Sequence, residues 1–367
     1  TVLPFLSIDD VTQAETDSGT TTFTFTVTIN QAVGYDVTFD VDTADDTATT
    51  ADSDYVAISG GSGTITNGDT TTTINVTVNG DTQIESDETF FVDLTNVVGA
   101  SVTNGQGTGT ITNDDSAEVS VAGTTDGNET GSVNGRFTVT QTVTSDTDTV
   151  VSYSVGGTAT DGDVDYTTLS GSVTISAGDT TAFIDVTGIA ADSLVEGTET
   201  VSVTLDSTDN VQVTIAAGPA DSDSIDILDG DTATVSIAGT TDGNETGPVT
   251  GVLTVSQTTA AVSDTVIDYT VTGSATEGTD YDNLSGTVTI AAGTTSETID
   301  IANIVADSLV EGTETVTITL DTITASDPGI TIGTASDSID IIDGDNATVS
   351  IAGTTDGNET GPVTGIL

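Results

Sequence analysis

The block VSVAGTTDGNETG at 119–131 returns as VSIAGTTDGNETG at 235–247 and again at 349–361. ADSLVEGTETV occurs at 191–201 and 306–316, and SIDILDGDTATVSIAG at 224–239 matches SIDIIDGDNATVSIAG at 338–353. Residues 1–115 are a diverged copy, with IESDETFFVDL at 84–94 and TITNDD closing it at 110–115. A period of about 114 residues is a whole domain rather than a solenoid unit. The repeats divide the chain into 1–115, 116–230 and 231–344. Residues 345–367 repeat only the opening of a domain. An isolated strand pair is marginal in water, so this piece either begins a further repeat or supplies a strand exchanged with a neighbouring molecule. Junctions such as Asp114-Asp115-Ser116 leave almost no linker.

Within each repeat the pattern has period two. Phe23, Phe25, Val27 and Ile29 alternate with Thr, as do Val201, Val203 and Leu205, and Ile225 and Ile227. Such alternation marks strands with one face inward, and turn signals of the Asn-Gly and Gly-Asp kind separate them. No stripe of helical period stands out. About seven strands per repeat predict an all-β chain of tandem antiparallel two-sheet sandwiches of immunoglobulin-like type.

Composition excludes several functions. The chain of 367 residues holds 59 Asp and Glu against one basic residue, Arg136, for a net charge of −58. Such a polyanion neither binds nucleic acid by counterion release nor docks on an anionic membrane. No apolar run is long enough for a membrane-spanning helix. With no Cys, His or Lys, there are no disulfides, no thiolate or imidazole ligands and no Schiff-base chemistry. High charge and few aromatics are also disorder signatures. Against that, only 16% of residues are charged, 34% are hydrophobic, and the apolar residues are periodic.

Many acids are scattered, but a subset recurs at fixed places. Asp81, Glu85 and Glu88 precede a strand in the first repeat. Asp192, Glu196 and Glu199 do so in the second, and Asp307, Glu311 and Glu314 in the third. Each repeat closes on an acidic pair: Asp114 and Asp115, Asp229 and Asp231, Asp343 and Asp345. Each opening strand is followed by a Glu: Glu15, Glu129, Glu245, and Glu359 in the terminal piece. In a sandwich these loops can meet at one pole. Carboxylates crowded there repel one another unless a hard cation neutralises them, and Ca2+ takes six to eight oxygens of this kind. The plainer reading is a solvated acidic tip.

The E-x-x-E-T before a strand, the closing I-x-(D/N)-(D/G)-D and the D-Y after a T-A loop together resemble Calx-beta domains. These are calcium-binding sandwiches found in exchangers, integrin subunits and many bacterial surface proteins. The resemblance spans all three repeats. It implies Ca2+ as cofactor and, as ligands, Glu15, Asp81, Glu85, Glu88, Asp114 and Asp115 in the first. It carries over Glu129, Asp192, Glu196, Glu199, Asp229 and Asp231 in the second, and Glu245, Asp307, Glu311, Glu314, Asp343 and Asp345 in the third. It adds Asp46 before the T-A loop, where Gly157 and Thr272 stand later, so those repeats would hold fewer ions.

Smaller features have plainer readings. Asp161, Asp163 and Asp165 share the opening spacing of an EF-hand but lack its Gly and closing Glu. The pairs Asp54-Tyr55, Asp165-Tyr166 and Asp280-Tyr281 read as turns with packed rings. Sequons at Asn75, Asn128, Asn244, Asn283, Asn346 and Asn358 permit N-glycosylation, though such triplets arise by chance in Thr-rich chains.

The sequence thus points to a structural protein, extracellular or at the cell surface: a calcium-stiffened tandem-domain rod in a fibre, filament or adhesin stalk. Its expected partners are copies of itself or further repeats, head to tail or by strand exchange. The alternative is a calcium-binding adhesion module for carbohydrate or a cell-surface partner. An enzyme is not expected, because a catalytic site rarely triplicates with its scaffold.

Overall fold

A computed structural model describes residues 2–247, 249–354 and 360. The described residues are all-β, without a helix. In the first repeat the strands are β1 (Phe5–Ile8), β2 (Val11–Ala14), β3 (Gly19–Ile29), β4 (Val37–Asp45), β5 (Tyr55–Val56), β6 (Gly61–Ile65), β7 (Thr71–Gly80), β8 (Glu88–Val98), β9 (Ser101–Asn104) and β10 (Gln106–Thr112). They form two five-stranded sheets, ordered β5-β7-β3-β1-β9 and β2-β10-β8-β4-β6. The opening stretch serves both sheets: β1 pairs with β3 and β9, and β2 with β10. Asp9 and Asp10 sit at the switch, where Asp9 Oδ1 accepts from the Thr26 N–H and Asp10 Oδ1 from the Thr108 N–H. This switch, with other short edge strands, raises the strand number above the seven that alternation suggests.

The alternating residues supply the core. Phe23, Phe25, Val27 and Ile29 are buried while the Thr residues between them face outward or lie half-covered. Phe90 is the hub: Tyr55 stacks on it at 4.6 Å, and the rings of Phe23 and Phe25 lie 5.9 and 6.0 Å away. A Cβ at Gly109 would stand 2.3 Å from the Phe90 ring, so that position requires glycine. The later repeats each have a four-stranded and a five-stranded sheet in the same order, with cores mainly of aliphatic residues around Phe137, Tyr153 and Tyr166 in the second and Tyr269 and Tyr281 in the third.

By compactness the chain forms two units that cut across the repeat boundaries. One holds residues up to 127 with 133–190 and 199–227. The other holds 128–132, 191–198 and the described residues from 228 onward. Residues 345–354 form no strand, and Val349 and Ile351 are exposed.

Pairing directions fix where the acids gather. β2 and β10 run parallel, so Glu15 and Asn113–Asp115 leave the sheet at the same end. β8 is antiparallel to β10 and to β4, so its start at Glu88 and the end of β4 at Asp45 lie at that end too. β7 ends at Gly80 beside the start of β3, and the loop carrying Asp81 and Glu85 follows.

Candidate metal centres

At the pole of the first repeat the acids form two tight groups. Glu15, Asp114 and Asp115 each offer a carboxylate oxygen, all within 4.8 Å of one another, and so do Asp54, Glu85 and Glu88. Glu15 is 4% exposed and Asp115 7%. Burial, followed by the charges of Glu85 and Asp81, pushes Glu15 up to about 8. Burial and the charge of Asp81 raise Glu85 to about 7, and burial and Asp54 raise Glu88 to about 8. Two unit charges at this separation repel by about 3 kcal/mol at an effective dielectric of about 20. The fold therefore holds these groups where ionisation is unfavourable unless a cation is present.

The second repeat brings Glu129, Asp229 and Asp231 within the same distance. Glu129 is 6% exposed and rises to about 7, first through burial and then through Asp229 and Glu196. Asp165 and Glu199 likewise approach within 4.8 Å. In the third repeat Glu245, Asp343 and Asp345 cluster. There burial and the charges of Asp343 and Asp307 raise Glu245, while burial and Asp280 raise Glu314. Burial and the charge of Asp307 raise Glu311.

The loops are organised by their own acids. Asp81, Asp192 and Asp307 each accept from the N–H two residues on, at Gln83, Leu194 and Leu309, at 2.6–2.7 Å. They bear on the clusters as neighbouring charges rather than as members of the tight groups. Asp229 Oδ2 accepts from the Glu196 N–H at 2.7 Å, and Asp343 Oδ2 from the Glu311 N–H at 2.9 Å. Asn113 does the same for Glu85 at 3.2 Å, which the acidic pattern alone does not reveal.

Two placements depart from the sequence reading. The D-Y aspartate is part of the site. One oxygen of Asp54 caps the Thr49 N–H at 2.6 Å, and the residue also joins Glu85 and Glu88. Asp165 and Asp280 cap Thr160 and Thr276 in the same way. The buried ring of Tyr55, Tyr166 or Tyr281 anchors each turn. Conversely, Asp46 is not among the clustered carboxylates and accepts from the Thr89 hydroxyl at 2.6 Å. In the later repeats Gly157 and Gly273, not Thr272, end this strand, pairing with Val201 and Val316 as Asp45 pairs with Phe90, and the first repeat carries one extra residue, Asp46, before its T-A loop. Both glycines have positive φ, and a Cβ on either would lie 2.1 Å from a carbonyl oxygen, so no carboxylate side chain fits there.

The donor set fits Ca2+. At 2.3–2.6 Å per bond, two oxygens on one ion lie no more than about 5 Å apart, as these do. Asp115 Oδ2 and Glu129 Oε2 are buried without a hydrogen-bond partner. An unpaired buried carboxylate oxygen is costly, and a cation at the pole would satisfy it. Of the sequon residues, Asn75, Asn283 and Asn346 are exposed, Asn128 and Asn244 are half-buried at the poles, and Asn358 lies outside the described residues, as does Glu359.

The Calx-beta domain model matches residues 9–116, 113–237 and 234–345. The chain belongs to the Calx-beta family, whose domains are calcium-binding modules. Among solved structures, CBD12 from CALX1.2 is 18% identical, covering 60% of this chain and 98% of its own, with a TM-score of 0.29. CBD12 of CALX1.1 is 16% identical over 61% and 99%, with a TM-score of 0.28. The apo form of the Calx CBD1 domain is 21% identical over 31% and 99%, with a TM-score of 0.27. No curated protein matches the sequence.

The site loop also joins one repeat to the next. Within the first unit, the Ile84 N–H donates to the Thr144 carbonyl at 2.9 Å, and the Asp146 N–H donates to the Ile84 carbonyl at 2.9 Å. Ile84 is 2% exposed and belongs to the core of the second repeat. Within the second unit, Val195 repeats the contact with Ala260 and Val262 at 2.8 and 3.1 Å. It is fully buried with Ala233 and Ala261.

Proposed function

We propose that the chain is a calcium-stiffened structural protein, extracellular or at the cell surface, whose tandem sandwiches form part of a fibre, filament or adhesin stalk. The observation that carries this is adjacency. Glu85 is a candidate ion ligand, and the residue before it, Ile84, is buried in the next repeat. Glu196 and Val195 repeat the arrangement. An ion that fixes the loop therefore fixes the apolar contact that couples repeats. The chain's own residues supply oxygen ligands, an ordered loop and a plug; none of this calls for catalysis. Chelation should lower the melting temperature, and calcium should restore it. Glu15→Gln should weaken that restoration for the first repeat. A melting temperature indifferent to chelator would refute the reading.

A further inference from the structure

Each repeat crosses from one sheet to the other at an equivalent place. In the first, β3 ends at Ile29 and β4 opens at Val37. In the second, one strand ends at Gln141 and the next opens at Thr149, and in the third these positions are Gln257 and Thr265. Backbone hydrogen bonds fix the equivalence. The N–H groups of Ile29, Gln141 and Gln257 donate to the carbonyls of Thr70, Thr180 and Thr295 at 2.8–2.9 Å. Val37, Thr149 and Thr265 pair with Ile65, Ile175 and Ile290. The two positions therefore flank one and the same turn in every repeat.

The side chains at these positions change together. Ile29 and Val37 are buried and apolar, whereas Gln141, Thr149, Gln257 and Thr265 are polar and none is more than 5% exposed. The amide nitrogens are held: Gln141 Nε2 donates to the Val143 carbonyl at 2.8 Å, and Gln257 Nε2 to the Thr294 carbonyl at 3.3 Å. The amide oxygens of both glutamines and the hydroxyls of both threonines find no hydrogen-bond partner on the protein. Leaving such atoms unpaired in a core is destabilising. Two repeats keep the polar pair and the remaining one replaces both members, which points to a partner that the two side chains share. The atoms on offer are neutral, and an ion there would be buried without a counter-charge. An amide oxygen only accepts, while a hydroxyl both donates and accepts. Water meets both needs.

We infer that the second and third repeats each bind one internal water, which bridges Gln141 Oε1 to Thr149 Oγ1 in the one and Gln257 Oε1 to Thr265 Oγ1 in the other. In the first repeat Ile29 and Val37 fill the corresponding space with methyl groups. The site is separate from the ion poles. Gln141 pairs with Val119 near the start of the strand Ala117–Thr125, whereas Glu129 lies beyond that strand's far end. It lies instead at the base of the turn that receives the plug: Gln141 Nε2 holds the Val143 carbonyl, and the adjoining Thr144 carbonyl accepts from the Ile84 N–H. The inference does not depend on the proposed function.

A high-resolution crystal structure of the chain in calcium, with magnetic relaxation dispersion of the solvent water to count long-lived internal waters, tests this. Density should show one water within about 3.2 Å of both the amide oxygen and the hydroxyl in each later repeat, and none between Ile29 and Val37. Gln141→Ile with Thr149→Val, the pair of the first repeat, should remove the dispersion of one internal water and leave circular dichroism and calcium binding unchanged. Either substitution alone strands the other member's buried polar atom, so each should lower the melting temperature more than the pair does. A direct hydrogen bond from Thr149 to Gln141 without water, an ion in place of the water, or unchanged dispersion in a folded double variant overturns the inference. Should the double variant fail to fold, the density of the unaltered chain decides.

Discussion

The two internal junctions use one loop and one pair of backbone hydrogen bonds in different surroundings. At the first, Ile84 enters the core of the second repeat, and acids surround it. The Ser86 N–H donates to Asp146 Oδ2 at 3.3 Å. Glu85, Asp87, Asp146, Asp148 and Asp209 line a cleft of about 610 Å3. At the second, the smaller Val195 packs on Ala233, Ala261 and Ile330, and Val262 holds the position of Asp146. The backbone bridge and an apolar plug therefore suffice for docking. Glu196 and Asp264 stand at the second junction as Glu85 and Asp148 do at the first, so the difference in charge at the bridge itself lies in Asp146, which Val262 replaces.

The largest expected difference is in stability. Ile84→Ala should cost about 2–4 kcal/mol, as truncation of a buried Ile does. Val195→Ala removes fewer buried methyl groups and should cost about 1–2 kcal/mol. Urea unfolding measures both, and equal losses would break the asymmetry.

Next comes pH. Glu15, Glu85 and Glu88 have folded-state pKa values of about 8, 7 and 8, above the ordinary 4.5. A raised carboxyl contributes stability that is full below the unfolded value and is lost as pH rises through the folded one. Without calcium, the first repeat should therefore lose stability between about pH 5 and 8, by more than about 5 °C in melting temperature. Calcium should cancel the trend. A calcium-free melting point that rises over this range would contradict the site's electrostatics.

A smaller effect isolates Asp146, whose charge contributes to raising both Glu85 and Glu88. Asp146→Asn should lower both titrations by less than about one unit in NMR. Val262→Asp should bring the same sensitivity to Glu196 at the second junction. No change in either variant would mean that the acids around the first junction are incidental.

Much of this was legible in the sequence, for identifiable reasons. Alternation at Phe23, Phe25, Val27 and Ile29 follows from the two-residue period of a half-buried strand, and the structure buries those residues. The clustering of Glu15 with Asp114 and Asp115 was inferable because recurring acids flank recurring strands. Asp54 was not, since a D-Y pair reads equally well as a turn. Only the fold shows the capping aspartate beside Glu85 and Glu88. Asp46, expected beside the T-A loop, accepts from the Thr89 hydroxyl and is not among the clustered carboxylates, a placement that depends on the length of the strand end. The plug had a signal that passed unread: Ile84 and Val195 are apolar residues inside loops otherwise rich in acid.

At the poles, carboxyls that hold protons in the empty site should give way to calcium. Calorimetric titration of the chain with calcium at pH 7.5, in two buffers of different ionisation enthalpy, measures this exchange. Binding should release protons, because burial raises Glu15 and Glu88 to about 8 and an ion would displace the protons they keep near that pH. An absence of calcium binding, or binding whose heat is the same in both buffers, would contradict it.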